Sequence, residues 1–191
     1  MFKQVLMVLC TMTLALSAAE GFAKDVSVKA LPASGGAQSI QAEALINAPV
    51  SAVWSDLVDY ANMKNVLPGY QRSTVLQNAG STKTLDLQVK ASSLLPPFKY
   101  QVKIREDKAA NTIHIQRISG DFKSIVASYK LIPTANGTQT RLVYNLNIEL
   151  GDKVPSMGAG SLIKGNAEKA MIALQSHCNR SYQRSMTAQA H

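Results

Sequence analysis

The chain has 191 residues, with 20 Lys and Arg against 12 Asp and Glu and a formal net charge of +8. This length suffices for one domain with a substantial core. The basic residues are scattered singly and lack interleaved aromatic side chains, which argues against nucleic-acid binding. The positive charge is compatible with contact to an anionic membrane surface.

The N-terminal residues 1–23 have the layout of a secretory signal peptide. Lys3 precedes the apolar run Val5–Leu16, small residues follow it, and cleavage could follow Ala19 or Ala23. The run is too short to span a bilayer, and a retained anchor helix is the alternative interpretation. We therefore expect a periplasmic or secreted protein.

Residues 24–38 contain Pro32 and the pair Gly35-Gly36 with few large apolar groups, which predicts a flexible leader. Beyond this leader, apolar and polar residues alternate up to Ile46 with the period of a half-buried strand.

A helix is predicted to begin at Pro49, because proline lacks a backbone N–H, has a fixed φ and is tolerated at the first helical position. Apolar residues then recur at helical spacing on one face: Val50, Val53, Trp54, Leu57, Val58 and Ala61. A second short helix is expected to end at Pro68-Gly69.

The segment Ile46–Tyr70, INAPVSAVWSDLVDYANMKNVLPGY, resembles the opening of the START-like, Bet v 1-like (SRPBCC) superfamily, in particular its polyketide cyclase/dehydrase and coenzyme Q-binding branch. The segment Ile118–Leu131, ISGDFKSIVASYKL, is also similar to members of this superfamily. The resemblance implies an α+β helix-grip fold: a curved antiparallel sheet of about six or seven strands, two short helices after the first strand, and a long C-terminal helix packed across the sheet over an apolar cavity.

After Tyr70 the apolar period changes to two, as in strands buried on one face. Short connections between these segments predict an antiparallel meander. Past Gly151 the helical period returns along Ile163, Ala167, Ala170, Met171, Leu174 and Cys178. We assign residues 39–184 to one two-layer domain and 185–191 to a frayed tail. Cys178 is interpreted as a core residue.

The sequence offers little catalytic chemistry. Its three histidines, His114, His177 and His191, do not stand at metal-ligand spacing, and no nucleophile or phosphate-binding motif occurs. We therefore predict no catalytic residue, no metal and no cofactor. An enzyme would have to use His114, Tyr100, Tyr144 or Asp59 as its acid or base, and the alternation places His114 on the outer face.

Three tyrosines, Tyr100, Tyr129 and Tyr144, fall on inner strand faces, where each combines an apolar surface with a hydroxyl. Arg117 is in phase with the inner face of its strand, where a charge needs a partner; a bulge or a position at the sheet edge is the alternative. We predict a ligand-binding cavity bounded by Trp54, Tyr100, Val102, Arg117, Tyr129, Tyr144 and Met171.

The connection Leu94-Leu95-Pro96-Pro97-Phe98 is the most apolar loop. We predict that Leu94, Leu95 and Phe98 form a lid or touch a membrane, the alternative being that they fold back onto the core.

These observations favour an exported, monomeric, non-enzymatic protein that binds or transports a hydrophobic small molecule, such as a lipid, isoprenoid or quinone, and has no nucleic-acid partner. The alternatives are a polyketide cyclase/dehydrase-type enzyme and a ligand-free structural or interaction protein.

Overall fold

The computed structural model of the protein describes residues 26–33, 36–151 and 158–189, and the predicted signal peptide lies outside them. The strands in this part are β1 Val26–Leu31, β2 Ala37–Ile46, β3 Tyr70–Ala79, β4 Thr82–Val89, β5 Phe98–Asp107, β6 Thr112–Gly120, β7 Ser124–Thr134 and β8 Gln139–Glu149. The helices are α1 Val50–Leu57, α2 Met63–Val66 and α3 Ala159–Gln189, with 3₁₀ turns at Tyr60–Asn62 and Ala135–Gly137.

All of these strands form one antiparallel sheet in the order β1-β2-β8-β7-β6-β5-β4-β3. From β3 to β8 each strand pairs with its neighbour in sequence, as the short connections predict. The segment with α1 and α2 carries the chain from β2 to the far edge of the sheet, and β2 pairs with β8, where Ala42 lies opposite Tyr144. The predicted α+β helix-grip fold is confirmed, with one strand more than the upper number expected.

The additional strand is β1, which lies within the predicted flexible leader. It pairs with β2 along its whole length, from Val26 opposite Ala44 to Leu31 opposite Ser39. Val26 and Val28 also pack against the core. The prediction of a flexible leader is therefore wrong for β1, because the backbone groups along the edge of β2 and the apolar core both offer this segment partners.

The first helix agrees with the prediction to within one residue. Pro49 is the N-cap of α1, and its carbonyl accepts hydrogen bonds from the backbone N–H groups of Ala52 and Val53. The buried face of the helix holds Val53, Trp54 and Leu57, in keeping with the spacing of apolar residues. The second short helix is followed by Gly69, whose φ of +82° suits glycine and turns the chain into β3.

The C-terminal helix α3 has 31 residues and is therefore about 46 Å long at 1.5 Å per residue. It packs against β1, β2 and α1. It continues through Gln189, so the described residues of the predicted tail, 185–189, are the exposed last turns of this helix, and their fraying stays a prediction. The segment contains no glycine or proline that would end the helix, and the hydroxyls of Ser185 and Thr187 donate to carbonyls of the preceding turn. Within the described residues, no helix is both long and apolar enough to cross a bilayer.

Hydrogen bonds fasten the C-terminal half of α3 to the end of β2. The amide of Gln175 donates to the carbonyl of Leu45 at 2.6 Å, and the backbone N–H of Asn47 donates to Oδ1 of Asn179 at 2.8 Å. Ser181 adds a hydrogen bond to Asp56 of α1 at 3.1 Å. These bonds hold the helix above the concave face of the sheet.

Candidate ligand-binding cavity

A cavity of about 180 Å³ separates the N-terminal half of α3 from the sheet. Its sheet side includes Val89, Phe98, Tyr100, Ile125, Tyr129, Tyr144, Leu146 and Ile148. Its helix side includes Leu162, Ile163, Ala167, Ala170, Met171 and Leu174. The walls are therefore mainly aliphatic and aromatic. Engineered apolar cavities of about 150 Å³ stay dry and bind benzene, so the space is large enough for a ring or for part of an aliphatic chain.

The hollow exists because small side chains face the sheet where the helix crosses it. Ala167 and Ala170 each contribute only a methyl group to the cavity wall, whereas the neighbouring turn presents Met171 and Leu174. The anchors at Gln175 and Asn179 hold the other end of α3 in place, so this half of the helix does not have to approach the sheet. Side-chain size and anchoring together account for the cavity.

Four tyrosines line the cavity: Tyr70, Tyr100, Tyr129 and Tyr144. The rings of Tyr129 and Tyr144 are stacked, with centroids 4.7 Å apart and an angle of 27° between their planes. Tyr100 meets Phe122 edge to face at 5.2 Å. Each of the four keeps some accessible surface although protein surrounds its ring, because that surface faces the cavity.

Burial raises the pKa of all four tyrosines above the ordinary value of 10.0. The neighbouring hydroxyls raise the pKa values of Tyr100 and Tyr144 further, because ionising one phenol is unfavourable beside another that ionises. Tyr70 and Tyr100 also interact through their hydroxyls. The cavity therefore contains neutral phenols, which can donate and accept hydrogen bonds at neutral pH.

Among the described residues that line the cavity there is no carboxylate, histidine or cysteine. His114 is exposed on the outer face of β6, as its place in the alternation predicts, and Asp59 is exposed beyond the end of α1. Nor do the described residues contain a cluster of three or more potential metal ligands. The polar chemistry of the interior comes from the phenols, with Asn166 and Lys90 at its margin.

The structure brings four of the seven predicted cavity residues together: Tyr100, Tyr129, Tyr144 and Met171. Trp54 and Val102 are buried in the adjoining core and do not line the cavity, so their assignment to the wall is wrong. Trp54 belongs to the buried face of α1. Val102 lies one inward position beyond Tyr100 on β5, where its short side chain packs with the core beside its strand partner Leu85.

Arg117 keeps the inward phase that the alternation predicts, because it pairs with the buried Val102, but it does not line the cavity, so its assignment to the cavity wall is wrong. The strand bulges one residue further on, where Ile118 is an extra residue of β6 between the pairs Val102–Arg117 and Gln101–Ser119. The guanidinium group donates to the carbonyl of Gly120 at 3.0 Å, near the end of its own strand. Pairing between β6 and β7 ends at Gln116, so Arg117 lies where these strands have already separated.

The three residues of the apolar loop have different environments. Leu94 is 92% exposed, whereas Leu95 is only partly buried. Phe98 is 3% exposed and lines the cavity, with its ring 5.2 Å from that of Phe122. The prediction that Phe98 forms an exposed lid or membrane contact is therefore wrong, because Phe98 begins β5 and the strand alternation turns its side chain inward. A lid or membrane role for Leu94 and Leu95 stays a prediction.

Two aromatic wall residues were missed because they lie in or beside turns. Tyr70 directly follows the turn at Gly69, and Phe122 lies between β6 and β7. Gly120 has a φ of +112°, and a β carbon there would lie 2.4 Å from Cα of Tyr100. The sequence signal for this close approach was the Gly-Asp pair followed by an aromatic residue, since only glycine lets the chain pass so near Tyr100.

Residues 46–175, about two thirds of the chain, match the model of the family described as polyketide cyclase / dehydrase and lipid transport. Comparison with curated proteins yields no significant match. The match confirms the superfamily predicted from the sequence, whereas the coenzyme Q-binding branch stays a prediction.

Solved structures show the same fold. A STAR-related lipid transfer protein from Xanthomonas axonopodis superposes with a TM-score of 0.73 at 17% identity, over 82% of this chain and 94% of that one. The Zhui aromatase/cyclase from a Streptomyces species gives 0.66 at 14% identity, over 75% and 94%. A START superfamily protein from Mycobacterium smegmatis gives 0.64 at 18% identity, over 74% and 97%. At these identities the likeness establishes the fold.

Proposed function

The chain belongs to the polyketide cyclase / dehydrase and lipid transport family, and from this premise we propose that it binds and carries a hydrophobic small molecule without altering it chemically. The observation that carries the proposal is the cavity of about 180 Å³ between α3 and the sheet, with its apolar wall and its four neutral phenols. Apolar burial would supply the binding energy, and the phenols would orient one neutral polar group of the guest.

The energetics favour a guest longer than a single ring. A molecule that buries about 200 Å² of apolar surface, the area of one aromatic side chain, gains about 5 kcal/mol at about 25 cal/mol per Å². Association itself costs at least about 4 kcal/mol. A micromolar complex needs a net gain of about 8 kcal/mol, so the guest must bury about 500 Å². This area exceeds that of the single ring or partial chain that the cavity can enclose, so it suits a lipid-like chain or an isoprenoid that enters the cavity with part of its length.

The residues that line the cavity favour the binding and carriage of a ligand over cyclase or dehydrase chemistry. A general acid or base acts best when its pKa lies near the working pH, and burial moves the phenol pKa values away from neutrality. The described wall offers no carboxylate or imidazole in their place. Export to the periplasm or the extracellular space forms part of the proposal and is supported by the signal-peptide pattern of residues 1–23.

Titration with the neutral fluorescent probe diphenylhexatriene tests the proposal. Wild-type protein should bind about one probe per chain. Ala170→Phe should abolish this binding, because the added ring occupies the cavity. Ser161→Phe, at an exposed position on the same half of α3, is the matched control and should bind the probe normally. Equal binding by both variants, or no binding by a folded wild type, would contradict the proposal.

A further inference from the structure

The cavity continues into a surface groove. Pro68, Tyr70, Lys90, Ala91 and Asn166 line both spaces. The groove extends outward over residues that do not reach the interior: Gly69, Gln71, Ser92, Ser93 and Lys169. A molecule whose chain lies in the cavity would therefore leave its outer end in this groove.

Hydrogen bonds between three segments hold the mouth of the cavity in place. The backbone N–H of Lys90 donates to the carbonyl of Gly69 at 2.8 Å, which joins the end of β4 to the turn before β3. A β carbon at Gly69 would lie 2.6 Å from the carbonyl oxygen of Lys90, so this contact requires glycine. The amide of Asn166 donates to the carbonyl of Ala91 at 3.0 Å and joins the same strand end to α3. The backbone at Lys90 is thus fixed at the boundary between cavity and groove.

The groove is cationic, whereas the cavity interior is neutral. Lys90 and Lys169 both line the groove and are exposed, and the other groove residues are uncharged. Within the described parts of the chain, no ion pair to either lysine is seen. Glu168 is adjacent to Lys169 in sequence but does not line the groove and has a partner of its own. An anion in the groove would meet two ammonium groups and no carboxylate.

We propose that the molecule carried is an anionic amphiphile, whose carboxylate or phosphate lies in the groove at Lys90 and Lys169 while its apolar chain enters the cavity. This inference rests on the proposed function and adds the class of ligand. An anion placed among the phenols would be removed from water with no cation beside it, which is strongly unfavourable. At the mouth the same group stays hydrated and meets both lysines, so the molecule binds with its chain inward.

Displacement of diphenylhexatriene by three ligands with the same twelve-carbon chain tests the inference: dodecanoate, dodecyl phosphate and 1-dodecanol. Wild-type protein should bind each anion about five- to tenfold more tightly than the alcohol, the size expected of two exposed charge contacts. The preference should shrink at high salt, because exposed charges are screened. The two anions distinguish a carboxylate from a phosphate head, and preference for either one supports the class.

The double variant Lys90→Gln/Lys169→Gln should lose the preference for anions and keep its affinity for dodecanol. The double variant Lys29→Gln/Lys103→Gln removes the same charge from exposed positions on β1 and β5, outside the groove, and should keep the preference. Equal affinity of wild-type protein for all three ligands, or a preference that survives the groove substitutions, would overturn the inference and leave the proposed function standing. Failure of all three ligands to displace the probe would overturn both.

Vesicles of phosphatidylcholine with one quarter phosphatidylglycerol distinguish a ligand head from a membrane surface. If the groove substitutions weaken attachment to these vesicles while dodecanoate binds as tightly as before, the lysines contact a bilayer and the inference is wrong. Loss of dodecanoate affinity in that variant without vesicles present supports it.

Discussion

The two halves of α3 belong to one helix and have opposite relations to the sheet. The C-terminal half begins at Leu174, where the cavity wall ends, buries Cys178 and is hydrogen-bonded through Gln175 and Asn179 to the end of β2. The N-terminal half spans the cavity, and Asn166 is tied to the loop after β4. The comparison teaches that a hollow beneath a helix can persist when the helix is anchored at its other end, because the anchored half contributes the packing energy.

Truncation of one leucine in each half of α3 should give the largest difference in stability between the two halves. Leu174→Ala should reduce the free energy of unfolding by about 2 to 5 kcal/mol, because Leu174 is 4% exposed and belongs to the core. Leu162→Ala should cost about 1 kcal/mol or less, because both leucines border the cavity but Leu162 is only partly buried and, unlike Leu174, does not belong to the core, so it loses fewer contacts. Urea denaturation of both variants measures the difference. Equal losses would mean that the two halves are packed alike.

The hydrogen bonds that anchor the two halves of α3 should differ in the same direction, with the larger stability loss in the C-terminal half. Asn179→Ala should cost about 1 to 3 kcal/mol, because it leaves the backbone N–H of Asn47 without its acceptor. Asn166→Ala removes a donor to the carbonyl of Ala91 and should cost about 0.5 to 1.5 kcal/mol. The midpoints of urea unfolding compare the two at equal m-values. A larger loss from Asn166→Ala would place the main anchor over the cavity and contradict this account.

The smallest predicted effect is a loss of stability at alkaline pH, which tests whether the cavity tyrosines are desolvated. Burial raises the folded-state pKa values of Tyr129 and Tyr144 above 10.0. The stability that each contributes is therefore fully present below pH 10, where both states are protonated. It is lost as the pH rises from 10 toward the folded value, by about 1.4 kcal/mol per pH unit for each group. Stability profiles between pH 9 and pH 11 measure this loss.

Tyr129→Phe and Tyr144→Phe should each make the alkaline decline of stability less steep. Tyr182→Phe, near the end of α3 and outside the cavity, is the control. If the stability of the two cavity variants falls with rising pH as steeply as that of the wild type, burial does not desolvate the phenols of Tyr129 and Tyr144.

Sequence periodicity was sufficient to predict most of the fold. The alternation in β4, β5, β7 and β8 and the apolar stripe of α1 each reflect one face turned to the core, and this relation is local. The strand β1 was missed because its existence depends on a partner edge that local sequence does not specify. Arg117 was misplaced for a similar reason: its inward phase was correct, but β6 separates from β7 beyond Gln116 and bulges at Ile118, and the guanidinium group donates to Gly120 instead of reaching the cavity.

The candidate site was only partly predictable. The inward tyrosines followed from strand phase, as did Met171 from helix phase. The sequence did not predict that the cavity is empty. Ala167 and Ala170 have the same spacing in a helix that touches the sheet and in one that stands away from it. The cationic groove combines Lys90 and Lys169, which are 79 positions apart in the chain and come together only in the folded structure.

Native mass spectrometry of the protein purified from cells, followed by solvent extraction and analysis of the extract, tests the central claim most directly. The account predicts a hydrophobic molecule bound at about one per chain and lost from Ala170→Phe. A folded wild type that carries nothing, and that no hydrophobic ligand stabilises against heat, would contradict the claim that the space beneath α3 holds a guest.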